Sequence, residues 1–367
     1  MNIKNQINTV RVLIEKLKLN LKDLEVLTEC ASKGYAYTPI IAGLAGAKSV
    51  TAVGSDSSYG LFKDNVKNIL QIAKNLSIDP SIFKFIEKEN LIQNDLFSFD
   101  IITNSGQLRP INSSIIKKLK KTAVIPLMWE TWEFRSEDID LINCQKEKIP
   151  IIGTNESFSE ISMYGYNPLI VIKLLFDLGL EAYNNDIILL GGGKSGRAAY
   201  QGLEKLGFKI SWFTKKGEVE SERYSELKNI HTYKNIDAII NFEHVCAERI
   251  VGNNCELDLE KLVKNHPYVN YGHICGNVNQ NELETSGINF LPKQILPFGY
   301  MSYETMNLGY RPVLELAAAG LKVGEIASRA RISGAPIEEA IQETIDYGIG
   351  QDFEGGFLNY KPKLKSL

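Results

Sequence analysis

The sequence predicts an α/β chain built from two doubly wound parallel-sheet domains, and three observations carry that expectation. Short apolar runs rich in β-branched residues alternate with helical stretches. The alternation runs in two series with a break near residue 160. A glycine-rich turn joins one apolar run of the second series to a helix. The length agrees: 367 residues, at ~150 per domain, correspond to two domains or three.

In the first series, residues up to about 20 read as an amphipathic helix, with Val10, Leu13, Ile14 and Leu17 at helical spacing. SVTAVGS (49–55), FDIITNS (99–105), TAVIPLMW (122–129) and IPIIGTN (149–155) read as buried strands, with LFKDNVKNILQIAKNL and INSSIIKKLKK as helices between them. Strands alternating with helices imply parallel βαβ units with helices on both faces of a sheet. GTNESFSEISMYGYN reads as the hinge between the series, and NPLIVIKLLFDLGLEAY as a long apolar helix with Pro168 in its first turn. The second series follows as DIILLGGG (186–193), a helix over about 195–206, FKISWFT (208–214), IDAIINF (236–242), PYVNYGH (267–273) and INFLPKQ (288–294). The end is helical in three pieces, TMNLGYRPVLELAAAGL, VGEIASRARI and PIEEAIQETIDYGI, before a frayed basic tail, YKPKLKSL. The Ala-Ala-Ala-Gly run suits close helix packing, including a homodimer interface.

Composition excludes several function classes. Forty-one Lys and Arg against 44 Asp and Glu give a net charge of -3, so no basic field attracts nucleic acid. Apolar residues at 44% and charged residues at 23% are globular values. No apolar run approaches the ~18 residues that span a bilayer, and the charged N-terminal stretch lacks the apolar middle of a signal peptide. Five scattered cysteines without C-x-x-C, and four histidines without ligand spacing, point to neither disulfides nor a metal. A cytoplasmic protein acting on a small molecule is expected, with no nucleic-acid or membrane partner.

The motif that carries chemistry is DIILLGGGKSGRAAYQGLEKLGFKISWFTKKG. Gly191, Gly193 and Gly196 satisfy G-x-G-x-x-G in its required strand–turn–helix–strand context, the Rossmann dinucleotide-binding pattern. Gly191 allows the tight turn, a bare Gly193 lets a pyrophosphate approach the backbone, and Gly196 lets helix and strand pack. Amides of Lys194, Ser195 and their neighbours at the helix start then face the anion. The second strand ends in Phe213-Thr214-Lys215-Lys216, where an NAD site places an acid for the ribose 2′-hydroxyl and an NADP site places cations. Thr214, Lys215, Lys216 and Arg197 therefore favour NADP over NAD, with Glu218 the residue that would restore NAD. Asn241, at the end of a later strand, completes the cofactor set.

The whole arrangement resembles the D-2-hydroxyacid dehydrogenase superfamily and, more distantly, S-adenosylhomocysteine hydrolase. The stretch 99–156, with Asp138-Ile139-Asp140, looks like the end of that superfamily's substrate domain. The resemblance covers roughly residues 95–300 and implies NAD(P)-dependent hydride transfer in a divergent member. The family's Arg, Glu and His set is replaced: His273 stands where a small residue or arginine is expected, and Phe298-Gly299 lie in the region of the catalytic histidine. Asn270-Tyr271-Gly272-His273 is similar to the Asn-x-Gly-His of S-adenosylhomocysteine hydrolase, whose His lies near the nicotinamide. That family's Lys-Phe-Asp-Asn run is replaced by ISMYGYN.

Ligands of doubly wound sheets bind beyond the carboxyl ends of the strands. The residues expected to line one cleft are therefore Ser105, Gly106, Gln107 and Arg109, then Glu130, Thr131, Trp132 and Glu133, with Asn155, Glu156, Asn241, Glu243, His244 and His273. His273 is the expected proton carrier, since imidazole titrates near neutrality. Arg109 is suited to clamp a substrate carboxylate, and Glu130 to bind or polarise the substrate. Tyr303, which precedes a helix near the C-terminus, is expected to pack between domains, with a reach to the nicotinamide or substrate as the alternative. The expected layout is a flavodoxin-like α/β substrate domain over 1–158, a Rossmann NAD(P)-binding domain over 159–305, and helices over 306–367 packing between them. The expected activity is NAD(P)-dependent hydride transfer on a hydroxy/keto or amine/imine group. Two alternatives stay open: an S-adenosylhomocysteine-hydrolase-like enzyme with tightly held NAD, and a non-catalytic dinucleotide-binding sensor or subunit.

Overall fold

A computed structural model of the chain describes residues 3–181 and 183–362. The basic tail expected over 360–367 lies outside the described residues from 363 on. Two compact units are present: the described residues up to Ser162 together with those from Tyr310 on, and Met163–Gly309.

The first unit contains β1 (Glu25–Glu29), β2 (Ser49–Gly54), β3 (Phe83–Glu87), β4 (Ile101–Ile102), β5 (Ile125–Pro126) and β6 (Ile151–Thr154). The second contains β7 (Asp186–Leu190), β8 (Lys209–Thr214), β9 (Glu222–Arg223), β10 (Ala238–Phe242), β11 (Val251–Gly252), β12 (Leu257–Asp258), β13 (Asn270–Cys275) and β14 (Asn289–Leu291). A last strand, β15 (Gly350–Gln351), belongs to the first unit.

In the first unit β1 pairs in parallel with β2 and β4, and β3 lies outside β2. A parallel bridge between Ile101 and Val124 leads on to β5 and β6, and β15 adds antiparallel to β6. The flavodoxin-like expectation is corrected by one strand. The order β2-β1-β4-β5-β6 follows that pattern, but Phe83-Lys84-Phe85-Ile86-Glu87 alternates apolar and polar residues and adds β3 at the edge.

The C-terminal helices also differ from expectation. Two of the three pieces form one helix, Arg311–Ile332, followed by Ile337–Asp346. Ala317, Ala318, Ala319 and Gly320 are buried within the first unit, where a Cβ on Gly320 would run into Met128 Sδ. A Cβ on Gly324 would likewise crowd Ile101 and Pro126. The small-residue run thus lets the helix lie close on β4 and β5 of its own unit.

The second unit has the strand order β14-β13-β10-β7-β8-β9. Renumbered from β7, this is the 3-2-1-4-5-6 order of dinucleotide-binding sheets. Both faces are covered, and the alternation along β7 shows it. Ile187 and Leu189 pack with Ile170, Leu174, Ala199 and Leu203 from the helices Tyr166–Asp177 and Gly193–Lys205. Ile188 and Leu190 pack on the opposite face with Leu262 and Leu283. The long apolar helix with Pro168 is thus a face-covering helix of this unit. Among the described residues no cysteine forms a disulfide, and no helix is long and apolar enough to cross a membrane.

Candidate functional site

The glycine turn sits between β7 and the helix Gly193–Lys205. Its three motif glycines perform separable steric tasks. Gly191 has φ +131, and a Cβ there would collide with the backbone of Phe242 and Glu243 at the end of β10. A Cβ on Gly196 would collide with the Gly191 carbonyl, so this glycine lets the first helical turn close over the strand end. Gly193 has φ +69 and is half-exposed, and its missing side chain would meet Val245 Cγ2 at 3.0 Å. The turn is pinned from below: Trp212 Nε1 donates to Gly191 O at 2.7 Å, and Gly191 N donates to Phe213 O at 3.1 Å. The result is a helix start whose N-cap residue, Gly192, supplies no side-chain cap, an arrangement suited to an anion.

The remaining cofactor candidates fall differently around this turn. Lys194 is exposed with its ammonium 5.7 Å from the Tyr164 ring, and Ser195 O accepts from Asn167 Nδ2 at 3.3 Å. Thr214 is buried, its hydroxyl bonding to Lys216 O and to Ser221 Oγ. Lys215 pairs with Glu248, and Lys216 is exposed. Arg197 pairs with Glu218 and, at 3.3 Å, with Glu220. Glu218 curls back to the turn, Oε1 accepting weakly from Gly193 N at 3.4 Å. A carboxylate, rather than the lysines, therefore stands beside the glycines, and the sequence-based preference for NADP loses its support. Asn241 is buried under the next loop, donating to Tyr271 Oη at 2.9 Å and accepting from Glu243 N at 3.2 Å. It shapes the end of β10. Glu243 continues that task, accepting from Val245 N at 2.5 Å, from Cys246 N at 2.8 Å and from Tyr224 Oη.

His273 does not have the setting expected of a proton carrier. It is fully buried in β13 with both ring nitrogens engaged: Nε2 faces Gly276 O at 3.2 Å and Nδ1 faces Ser302 Oγ at 3.0 Å. A carbonyl only accepts, so the hydrogen belongs on Nε2, and Ser302 donates to Nδ1 while accepting from Leu296 N at 2.8 Å. Burial lowers the ring's pKa to about 4, against an opposing contribution from the Gly276 carbonyl. The imidazole is a neutral strut that ties β13 to the loop at 296–302. His244 lies at the neighbouring strand end with Nδ1 3.4 Å from Cys275 Sγ, and burial lowers it to about 4 as well. Tyr303 is spent within its unit, its hydroxyl donating to Asp177.

The first unit carries its own polar group at the carboxyl ends of β1 and β4. Arg109 donates through Nη1 to Asp138 Oδ2 at 2.8 Å and lies 5.1 Å from the centre of the Trp129 ring, which Arg135 approaches at 5.0 Å. Its Nε is buried without a partner. Glu130 is fully buried next to Trp129 and accepts from Trp132 Nε1 at 2.7 Å. Glu133 follows, its pKa raised to about 7 by burial despite the nearby Arg135. Sequence reasoning missed Glu29, the last residue of β1, which is buried and raised to about 7 by desolvation. The available signal was an acid closing the short apolar run Val26-Leu27-Thr28.

No family model matches the sequence, and no curated protein matches it. Solved structures do. A dipicolinate synthase polypeptide from Bacillus halodurans aligns over 83% of this chain and 99% of its own, at 12% identity and a TM-score of 0.55. Its counterpart in the dipicolinate synthase of Bacillus subtilis aligns over 86% and 98%, at 12% identity and a TM-score of 0.51. A 2-hydroxyacid dehydrogenase from Ketogulonicigenium vulgare Y25 aligns over 86% and 97%, at 12% identity and a TM-score of 0.47. At such identities the likeness is one of fold: the chain is a divergent representative of the two-unit α/β architecture seen in the two dipicolinate synthase structures, with a Rossmann unit after the first sheet.

Proposed function

We propose that the chain is an NAD-dependent oxidoreductase that transfers a hydride to or from a small polar metabolite bearing an acidic group. The observation that carries this reading is the bare turn Gly191–Gly193, which opens a helix at the first crossover of a 3-2-1-4-5-6 sheet. The residues present fit a dinucleotide. The amide of Gly193 and those of the first helical turn would hold the diphosphate. Glu218 would exchange its contacts with Arg197 and Gly193 for the adenosine ribose hydroxyls. When bound, the nicotinamide supplies or accepts the hydride. In the first unit, Arg109 bonds to Asp138 through Nη1 and would offer Nη2, beside the exposed Gly106, to a substrate acid.

The choice of NAD rests on Glu218, because a 2′-phosphate would have to approach a carboxylate while Lys215 is engaged by Glu248. Equilibrium titration of the wild type and Glu218→Ala with NAD and NADP tests this. A hydrogen bond to a charged group is worth about 1.5–3 kcal/mol, so the ratio of NAD to NADP affinity should fall roughly ten- to a hundredfold in the variant. A wild type that prefers NADP would overturn the cofactor assignment.

A second reading, a dinucleotide-binding subunit without chemistry of its own, draws support from His273, whose nitrogens are both occupied. Mixing the protein and reduced cofactor with small 2-oxo acids, with and without ammonium, separates the two. Oxidation of the cofactor favours the enzyme, and binding with no oxidation favours the second reading.

A further inference from the structure

Glu29 and Arg109 flank one glycine. Gly106 is exposed, and a Cβ built on it would stand 3.4 Å from Arg109 Nη2 and 3.8 Å from Glu29 Oε2. The missing side chain leaves a gap bounded by a guanidinium on one side and a carboxylate on the other. The loop that forms it is held firmly. Ser55 donates to Gln107 Oε1 through N at 3.1 Å and through Oγ at 2.9 Å, and Thr103 bonds to Ser105 at 2.6 Å. Gln107 N donates to Glu29 Oε2 at 3.3 Å, and no ion pair with Glu29 occurs among the described residues. On the other side, Asp138 takes only Nη1 of Arg109 and leaves the buried Nε unpartnered.

Among the described residues Glu29 therefore has no contacting cation, and Arg109, though paired with Asp138, keeps one buried N–H without an acceptor. A buried carboxylate without a contacting cation is costly, and so is a buried guanidinium N–H without an acceptor. Nη2 of Arg109 stands at the gap and is not taken by Asp138, which leaves a charged donor for a carboxylate. We propose that the gap beside Gly106 binds a small zwitterion, an α-amino acid or its close analogue, with its carboxylate on Nη2 of Arg109 and its ammonium on Glu29. Burial raises Glu29 above the ordinary carboxylate range, and Arg109 offsets this only in part. A ligand ammonium in contact would supply the missing counter-charge. This names the substrate class of the oxidoreductase reading and rests on it for the reaction, but the binding stands without a dinucleotide.

Calorimetric titration of the full chain with alanine, lactate, propionate and isopropylamine, four molecules of similar size, tests the inference. Alanine should bind best, about tenfold or more above lactate, as expected for a charge-assisted contact to a buried carboxylate. Propionate and isopropylamine should each be weaker than alanine. Glu29→Gln keeps the shape and should bring alanine down to the level of lactate, with lactate itself changed less than about threefold. Gly106→Val should abolish binding of both while circular dichroism stays that of the wild type. Absence of alanine binding, equal affinity for alanine and lactate, or an unchanged preference in Glu29→Gln would overturn the proposal. A parallel titration with NAD keeps the two readings apart. NAD binding without alanine binding sinks only the zwitterion site, and the reverse sinks only the dinucleotide site.

Discussion

Gly193→Val is expected to lose at least about a hundredfold in affinity for NAD, the equivalent of two charge-assisted amide hydrogen bonds at the lower end of their range. Gly193 holds φ +69 at the start of the helix. A β-branched residue there is a steric outlier, and its Cβ would press on Val245. The turn must rearrange, and the amides that face the diphosphate turn with it. Gly179→Val is the matched control. Gly179 has φ +86 in the same unit with open space where the side chain would go, so it carries the backbone strain of about 1–2 kcal/mol but leaves the turn intact. Its NAD affinity should stay within about twofold of the wild type. Equal losses in both variants would mean that backbone strain, not access to the turn, governs binding.

Acid is expected to destabilise the protein through His273. Burial keeps this imidazole neutral in the native state down to about pH 4, from an ordinary value of 6.5. The folded pKa is depressed, so the stabilising contribution is complete above the unfolded pKa and is lost as pH falls from about 6.5 towards 4. At 1.36 kcal/mol per unit, the shift corresponds to about 3 kcal/mol once both values are passed. His273→Asn removes the titrating group and costs stability at pH 7, because Ser302 loses its acceptor. Urea unfolding at pH 7 and pH 5 should show the wild type losing about 2 kcal/mol more than the variant over that interval. Carboxylates titrate in both proteins, so the difference isolates the ring. Parallel pH profiles would show that His273 opens to solvent and takes up its proton in the native state.

The parts of this chain that were legible from sequence are those in which one residue type answers one steric demand. Gly191 and Gly196 lie where any Cβ would strike backbone, and that demand is written directly into the motif. The strands of the second unit were legible because buried parallel strands carry near-continuous apolar runs, as in Ile187-Ile188-Leu189-Leu190 and Ala238-Ile239-Ile240. The first unit was harder. Glu25–Glu29 has an acid at each end of three residues, so β1 and its terminal Glu29 escaped notice. FDIITNS pairs only at Ile101–Ile102, because the chain then turns through Asn104 and Ser105 into the loop that carries Gly106.

Three candidate residues, His273, Lys215 and Lys216, were misplaced for reasons that spacing does not encode. Gly-His at a strand end looks the same whether the ring faces solvent or core. Here the ring lies between Gly276 O and Ser302, 29 residues on. Glu218 was legible only as a nearby acid, since its place beside Gly193 depends on how the loop after β8 curls back over Thr214 and Ser221. Lys215 and Lys216 matched the motif distance but point their charges elsewhere or to solvent. Tertiary partners, not local pattern, decided these cases.

The central claim is that the second unit takes a nicotinamide dinucleotide on its glycine turn. Titration of the purified full chain with reduced NAD, followed by the fluorescence of the nicotinamide ring, addresses it most directly. Saturable enhancement at one site per chain, abolished in Gly193→Val and retained in Gly179→Val, is the expected result. A signal that stays linear in added cofactor, identical with and without the protein, would contradict it.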